Sequence, residues 1–302
     1  MKELMVAISG LFGKRCTNTQ KDRFICYIQN LAKETNLKCT VDTGKIGHQT
    51  CRNIYLGNVK QAKVFLTVPY DTSTRILWPN IRYYPVNARK NSTRDSISKG
   101  LDFLISLTLV TLYYLFVFRH PSMHGGEVGI LPTCGLILIT LLGFKTIYGW
   151  QNRNNYSRNS ASIVIALECL KRQTSNEIAV ALLDQSCCGF GGYHQFSKYL
   201  DQKRLKKKII VLDCVATGSE LHLHGLHTLP ELDGIQNHKI RTDDSDQSIV
   251  DLFPDSIVLT GGSYINGETV VSDTRNGKDC QINLQKMEHI VDVIRRLAEG
   301  TA

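Results

Sequence analysis

Asn154-Asn155-Tyr156-Ser157-Arg158-Asn159-Ser160-Ala161-Ser162 runs without a break into the apolar segment 163–170. A polar, turn-prone segment feeding a helix is where an α/β fold commonly holds a ligand, because the first N–H groups of the helix point there unpaired. This one follows a long apolar region. It precedes a segment rich in Gly and Cys, Asp184-Gln185-Ser186-Cys187-Cys188-Gly189-Phe190-Gly191-Gly192. The rest of the chain is placed outward from it.

Downstream, the pattern predicts a helix over 162–171, a continuous apolar strand over 177–184, a helix over 193–200 and a strand over 208–215. Glu220–Gly225 alternates as Glu-Leu-His-Leu-His-Gly, 256–260 reads as a strand, and 284–297 closes the chain as a helix. Met287, Ile290, Val291, Val293 and Ile294 form the apolar stripe of that helix. Upstream, Asn18–Glu34 has helical spacing at Phe24, Ile25, Ile28 and Leu31, with Thr17 or Asn18 as cap. Segments 37–42, 52–56 and 62–68 read as strands, the last apolar throughout and so central. Strands alternating with helices predict an α/β fold: a mostly parallel mixed sheet with helices on both faces.

The chain has 302 residues, a net charge of +9 and ten cysteines. Lys203-Arg204-Leu205-Lys206-Lys207-Lys208 reads as a solvated helix end leading into a buried strand. Basic residues without interleaved aromatics or a known module argue against nucleic acid as a partner. No CxxC pair occurs and several cysteines lie in apolar runs, as expected of reduced thiols in the cytosol. The first twelve residues carry Lys2 and Glu3 and lack the core and cleavage site of a secretory signal.

Two apolar stretches, about 101–118 and 128–148, are each near the roughly 20 residues that cross a hydrocarbon core. They predict a transmembrane hairpin within 91–150, inserted between a first part of the α/β domain (1–90) and a second (151–302). Arg82, Arg89, Lys90, Arg94 and Lys99 precede the hairpin; Lys145, Arg153 and Arg158 follow it. The positive-inside rule then expects a multi-pass protein of the cell membrane, with lipid bilayer around two helices and both termini cytoplasmic. Thr108, Thr111, Gly135 and Gly143 are small or polar positions where a partner's helices would pack, if the hairpin itself binds other membrane proteins.

The order of motifs resembles the zinc exopeptidases of metallopeptidase family twenty-eight, which includes aminopeptidases and glutaminyl cyclases. Arg52-Asn53-Ile54 is similar to the family's early strand. Phe65-Leu66-Thr67-Val68-Pro69-Tyr70-Asp71 resembles the strand ending in H-x-D, and Ser157-Arg158-Asn159-Ser160-Ala161-Ser162 resembles D-D-N-A-S-G. The stretch from Leu182 to Gly192 resembles D-G-E-E-x-G-L-x-G, and Val211-Leu212-Asp213 resembles N-L-D. Asp273-Thr274-Arg275-Asn276, followed by Ile282-Asn283, resembles H-T-x-x-D.

The resemblance implies a zinc exopeptidase-like fold and a cleft that accepts a peptide N-terminus. It also puts Pro69 at the first His, Ser157 at the bridging Asp, Ser186 and Cys187 at the catalytic Glu and its ligand neighbour, and Asp273 at the final His. Asp213 is the one family ligand position retained, with Asp71 and Asp184 as supporting carboxylates. Zinc chemistry needs His and carboxylate ligands, an open coordination position and a general base, and Ser186 cannot be that base. No cofactor is therefore expected, and the leading function is a peptide- or protein-binding accessory that has lost catalysis. The alternative is an active metal-dependent aminopeptidase-type hydrolase with a rebuilt site and zinc. A soft metal on Cys187, Cys188 and Asp213, or a Cys187 nucleophile served by His194, are lesser alternatives. His222, His224 and His227 read as a solvent-facing strand edge. Asp71, Asp184, Asp213 and Asp273 are expected to converge in one cleft, with Arg158 or Arg275 pairing with them in place of a dication.

The charge flanks make a topological prediction. A single Cys at Ser122, in a background lacking other cysteines, should react with an impermeant thiol reagent in intact cells. Labelling only after lysis would reverse the orientation.

Overall fold

A computed structural model describes all residues except 48, 77, 79–81, 120–129, 241–247, 276 and 300–302. The connection between the two apolar helices, with Ser122 and His124, lies outside the described residues, as does Asn276. Helix α1 (Lys2–Met5) continues into a π-helical turn, Val6–Leu11, and α2 spans Asn18–Glu34. Thr17 and Gln20 close a capping box at its start. Strands β1 (Cys39–Ile46), β2 (Gln49–Leu56), β3 (Val64–Pro69) and β4 (Thr74–Arg75) follow. The apolar helices are α3 (Ala88–Tyr113), which runs on as a π-helical turn to Phe118, and α4 (Ile130–Tyr148). Then come β5 (Trp150–Gln151), a π-helical turn Tyr156–Ser160, α5 (Ala161–Arg172), β6 (Ile178–Leu183) and α6 (Gly191–Lys203). The remainder is β7 (Lys208–Asp213), β8 (Glu220–Gly225), β9 (Ile235–Lys239), α7 (Ile249–Leu252), β10 (Ile257–Ile265), β11 (Glu268–Val270) and α8 (Leu284–Glu299).

The main sheet has the order β1-β2-β6-β3-β7-β10-β8-β9, with β11 on β10. Its central run β6-β3-β7-β10 is parallel, while β1, β2, β8 and β11 join antiparallel. Strands β3 and β6 are buried along their whole length, because helices cover both faces. The period of two sorts their residues: Val64, Leu66, Val68, Val180 and Leu182 face a core shared with α2, α5 and α8. Phe65, Ala179, Ala181 and Leu183 face a second core with α6 and α7. Helix α5 lies between the sheet and α8, so residues 161–170 are all buried. That explains its continuous apolar character better than an amphipathic stripe would.

The reading of His222 and His224 as a solvent-facing edge is corrected. Strand β9, whose Ile-Gln-Asn-His-Lys carries little strand signal, pairs outside β8 and buries both rings. His222 Nδ1 lies 3.1 Å from His238 Nε2, and His224 Nε2 lies 3.0 Å from the Thr269 hydroxyl. Burial, then His238 and His222, pushes His224 down to about 3. His227 alone is exposed, facing Asp255 at 3.4 Å.

Ala88–Phe118 and Ile130–Tyr148 are long and apolar enough to cross a membrane. Their large side chains, such as Leu104, Leu109, Leu138 and Leu141, are exposed, unlike those of a core helix. Ser106, Thr108, Thr140 and Thr146 donate to carbonyls one turn back, which satisfies the hydroxyls inside each helix. The helices approach at small residues: a Cβ on Gly143 would sit 3.1 Å from Ser106 Cβ, and one on Gly135 would collide with Tyr113.

Helix α3 begins well before its apolar part, at Ala88 rather than 101, capped by the Asn87 side chain. Its polar first turns are fastened to the α/β body. Asp95 pairs with Arg275 at 2.7 Å, Lys90 with Glu268 at 2.5 Å, and Trp78 Nε1 donates to Asp102 at 3.0 Å. Beyond those fasteners, β4 and β5 pair across the base of the hairpin. Replacing residues 103–149 with a Gly/Ser linker should therefore leave a soluble domain that unfolds cooperatively, because loops of this kind tolerate changes in length. Aggregated or molten product would mean that the hairpin contributes to the core.

Candidate functional site

The cleft forms at the C-terminal ends of β3, β6 and β7, the edge where α/β sheets commonly hold ligands. Asp71 follows β3, Asp184 follows β6, and Asp213 ends β7. The polar stretch that begins at Asn154 lies against them. Asp279 holds this stretch from below, accepting the N–H of Ser157 at 2.7 Å and of Arg158 at 3.1 Å. Asn159 Nδ2 donates to the carbonyls of Pro69 at 3.2 Å and Asp71 at 3.0 Å, locking the turn to the end of β3.

Each carboxylate is committed to partners within the protein. Asp71 Oδ1 accepts the backbone N–H groups of Ser186 and Cys187, both at 3.0 Å. Burial raises its pKa; the Lys21 charge and those hydrogen bonds work against the rise. Asp184 is fully buried, sits 2.5 Å from Lys21 Nζ and accepts from the N–H of Arg52 and Gln185. Asp213 Oδ2 accepts the Tyr83 hydroxyl at 2.6 Å. Burial raises its pKa as well, opposed by Tyr83 and Arg158. The loop after Asp184 turns so tightly that a Cβ on Gly192 would collide with the Asp184 carbonyl. Only glycine fits there.

Three cations answer these carboxylates. Lys21 was not anticipated as a site residue, although it stands on the apolar stripe of α2, at helical spacing from Phe24, Ile25 and Ile28. A lysine in such a stripe is the signal that would have found it. Burial pulls its pKa down, but Asp184 and then Asp71 outweigh that, and the net shift is upward. Arg15 is fully buried in a loop. It donates to the carbonyls of Tyr70 (2.5 Å), Phe12 (2.5 Å) and Ile8 (3.1 Å), and burial lowers its pKa to about 10. No periodicity marks a loop arginine, so the sequence gives no cue for it.

Arg158, the third, is buried, with its guanidinium carbon 4.3 Å from the centroid of the Tyr83 ring. It donates to the Cys187 carbonyl at 2.8 Å and lies 3.5 Å from the Ser73 hydroxyl. The expected bidentate pair with a site carboxylate is not what forms. Arg158 reaches Asp213 only electrostatically, across Tyr83, and Arg275 pairs with Asp95 of α3.

Apart from Asp213, held by Tyr83, and the buried Cys187, the predicted residues divide into three groups. Asp71, Asp184 and Asn159 lie buried under the cleft. Arg158, Arg275, Ser186 and Cys188 line its pocket, with Tyr83 and Arg94. Ser157 and Asp273 line a separate depression with Asp279. Asp273 therefore does not converge with the other three aspartates. Its side chain is 60% exposed, 3.5 Å from Lys278, at a left-handed φ of 55°. The Ser157 hydroxyl donates to the Gln281 carbonyl. All ten cysteines are free thiols. Cys187 and Cys188 stand with their sulfurs 3.8 Å apart. The contact with Cys187, reinforced by Arg275 and Arg158, lowers the pKa of the Cys188 thiol. His194, the base a Cys187 nucleophile would need, is exposed on α6.

These donors do not fit a zinc ion of the exopeptidase kind. Among the described residues no three His, Cys, Asp or Glu side chains gather as ligands. Pro69 offers none, Asp71 and Asp184 are taken up by N–H groups and Lys21, and Asp213 accepts the Tyr83 hydroxyl within the field of Arg158.

No family model and no curated protein matches the chain. Solved structures do. The LapA aminopeptidase of Legionella pneumophila superposes with a TM-score of 0.55 at 8% identity, over 98% of this chain and 68% of that one. A glutaminyl cyclase from Macrostomum lignano gives 0.54 at 8% identity, over 97% and 87%. One from Fimbriiglobus ruber gives 0.52 at 10%, over 97% and 93%. The mixed α/β fold of the chain is thus of the aminopeptidase and glutaminyl cyclase type. At these identities the likeness extends to the fold alone.

The Lys21–Asp184 pair makes a stability prediction. Lys21→Met should destabilise the domain by about 3–5 kcal/mol, because it strands two buried carboxylates. The folded pKa of Lys21 is raised, so the pair's contribution is complete below the ordinary lysine value of 10.5 and fades as pH climbs through the raised one. Denaturant melts at pH 7 and at alkaline pH read both effects. An unchanged midpoint at pH 7 would contradict the role given to Lys21.

Proposed function

We propose that this is a membrane-anchored protein whose peptidase-like α/β body faces the cytoplasm, has given up zinc-dependent catalysis, and holds a peptide or protein partner as an accessory scaffold. The observation that supports this most is the buried Arg158 guanidinium, whose charge reaches Asp213 across the Tyr83 ring. A fixed positive charge there repels a dication, and it adds to the Tyr83 hydroxyl in offsetting Asp213 while Lys21 answers Asp184 and Asp71. The chemistry that would need a general base has none at Ser186, whose hydroxyl donates to the Asp184 carbonyl.

The membrane part of the reading rests on the exposed apolar length of α3 and α4 and on hydroxyls that close on their own helices. Basic residues on both outer flanks then favour cytoplasmic termini. The segment 91–150 is taken as an insertion between two parts of one domain, 1–90 and 151–302. The bilayer and other membrane proteins are natural partners; no cofactor is needed.

The test uses the full chain in mild detergent. Chelator should leave the melting temperature unchanged, Arg158→Ala should lower it by roughly 5–10 °C, and added zinc should not release product from aminoacyl anilides. Stoichiometric zinc, a chelator-sensitive melt and a silent Arg158→Ala would instead establish a working hydrolase with a rebuilt site.

A further inference from the structure

The cleft is more basic than a peptide's N-terminus would favour. Its wall carries Arg82, Arg94, Arg158 and Arg275 against a single carboxylate, Asp95. Asp95 is spent on Arg275. Arg158 and Arg94 rest on aromatic rings, of Tyr83 at 4.3 Å and Tyr84 at 4.9 Å, rather than on acids. Among the described residues, no carboxylate lies within ion-pair distance of Arg82, Arg94 or Arg158. Arg158 gives one N–H group to the Cys187 carbonyl and another to the Ser73 hydroxyl, whereas a guanidinium held on a ring face, as Arg94 is, keeps its N–H fork for the oxygens of a phosphate.

The position of the cleft narrows the ligand. One side of it is the start of α3, through Ala88, Asn91, Arg94 and Asp95. The same helix becomes apolar and exposed from Leu101 onward. Asp95 and Asp102 are seven positions apart, and at about 1.5 Å per residue that is roughly 10 Å of helix. The mouth of the cleft therefore stands at headgroup height above the start of the hydrocarbon. Lys90 on the same helix is spent on Glu268, but Lys99 flanks the cleft as well, and basic residues placed this way attract anionic lipids.

We propose that the cleft binds the phosphate of an anionic phospholipid whose headgroup projects from the membrane surface. This rests on reading α3 and α4 as spans and the cleft as free of zinc. The lipid phosphate enters between Arg82 and Arg94 at the rim and meets Arg158 at the floor. It supplies the counter-charge that the wall lacks.

The full chain is reconstituted in nanodiscs of phosphatidylcholine alone or with phosphatidylinositol 4-phosphate, and bound lipid is counted by native mass spectrometry. The phosphoinositide should be retained selectively, and R82Q/R94Q should weaken its binding by roughly ten- to thirtyfold. K203Q/K206Q, the same charge loss outside the cleft, should change nothing. Arg82 is exposed, so if the double variant melts early, Arg82→Gln alone reads the effect. Equal retention by wild type and R82Q/R94Q, or equal loss in both double variants, overturns the proposal. Inositol 1,4-bisphosphate binding as tightly without a bilayer would overturn the lipid as the source. Zinc measured on the same samples separates failure of the catalytic reading from failure of this one.

Discussion

The balance of buried charge beneath the cleft is the constraint on which the rest depends. Three carboxylates stand at the ends of adjacent parallel strands, and a buried carboxylate without a partner costs several kcal/mol or takes up a proton. Lys21 of α2 answers Asp184 and Asp71, Tyr83 and Arg158 answer Asp213, and Arg15 ties the chain near Ile8 and Phe12 to the Tyr70 carbonyl. Each of these contacts joins an element to a strand end that is distant in sequence. Removing a member would strand a charge and release a segment together, so the site and the fold share one set of interactions.

The same contacts explain how the body is coupled to the apolar helices. The first turns of α3 line the cleft and are held there by Asp95 on Arg275 and Lys90 on Glu268. A tilt of this helix would move Arg94 and Asp95 relative to Arg158. The cleft wall and the apolar segment are parts of one continuous helix.

Much of the sheet was legible in the sequence because it depends on local pattern. The continuous apolar runs at 62–68 and 177–184 could only be central strands, and Phe24, Ile25 and Ile28 fixed the buried face of α2. What was misread depends on tertiary partners. Strand β9 is polar and forms because β8 needs a neighbour, and it is this pairing that buries His222 and His224. The start of α3 at Ala88 comes from a cap at Asn87 and ion pairs with residues nearly two hundred positions away, not from periodicity. The four-aspartate cluster was expected from motif order. Asp273 departs from it because its left-handed backbone turns the side chain to solvent beside Lys278. Lys21 was visible as a charge in an apolar stripe, whereas Arg15 had no local sign.

The proposal that Lys21 and Arg158 offset the strand-end carboxylates in place of a metal can be examined in crystals. Anomalous X-ray scattering across the zinc edge, from crystals grown with excess zinc, tests it most directly. The expected result is no anomalous peak among Asp71, Asp184 and Asp213, with the Arg158 guanidinium ordered against Tyr83. A full-occupancy peak among those carboxylates, with Arg158 displaced from Tyr83, would contradict it.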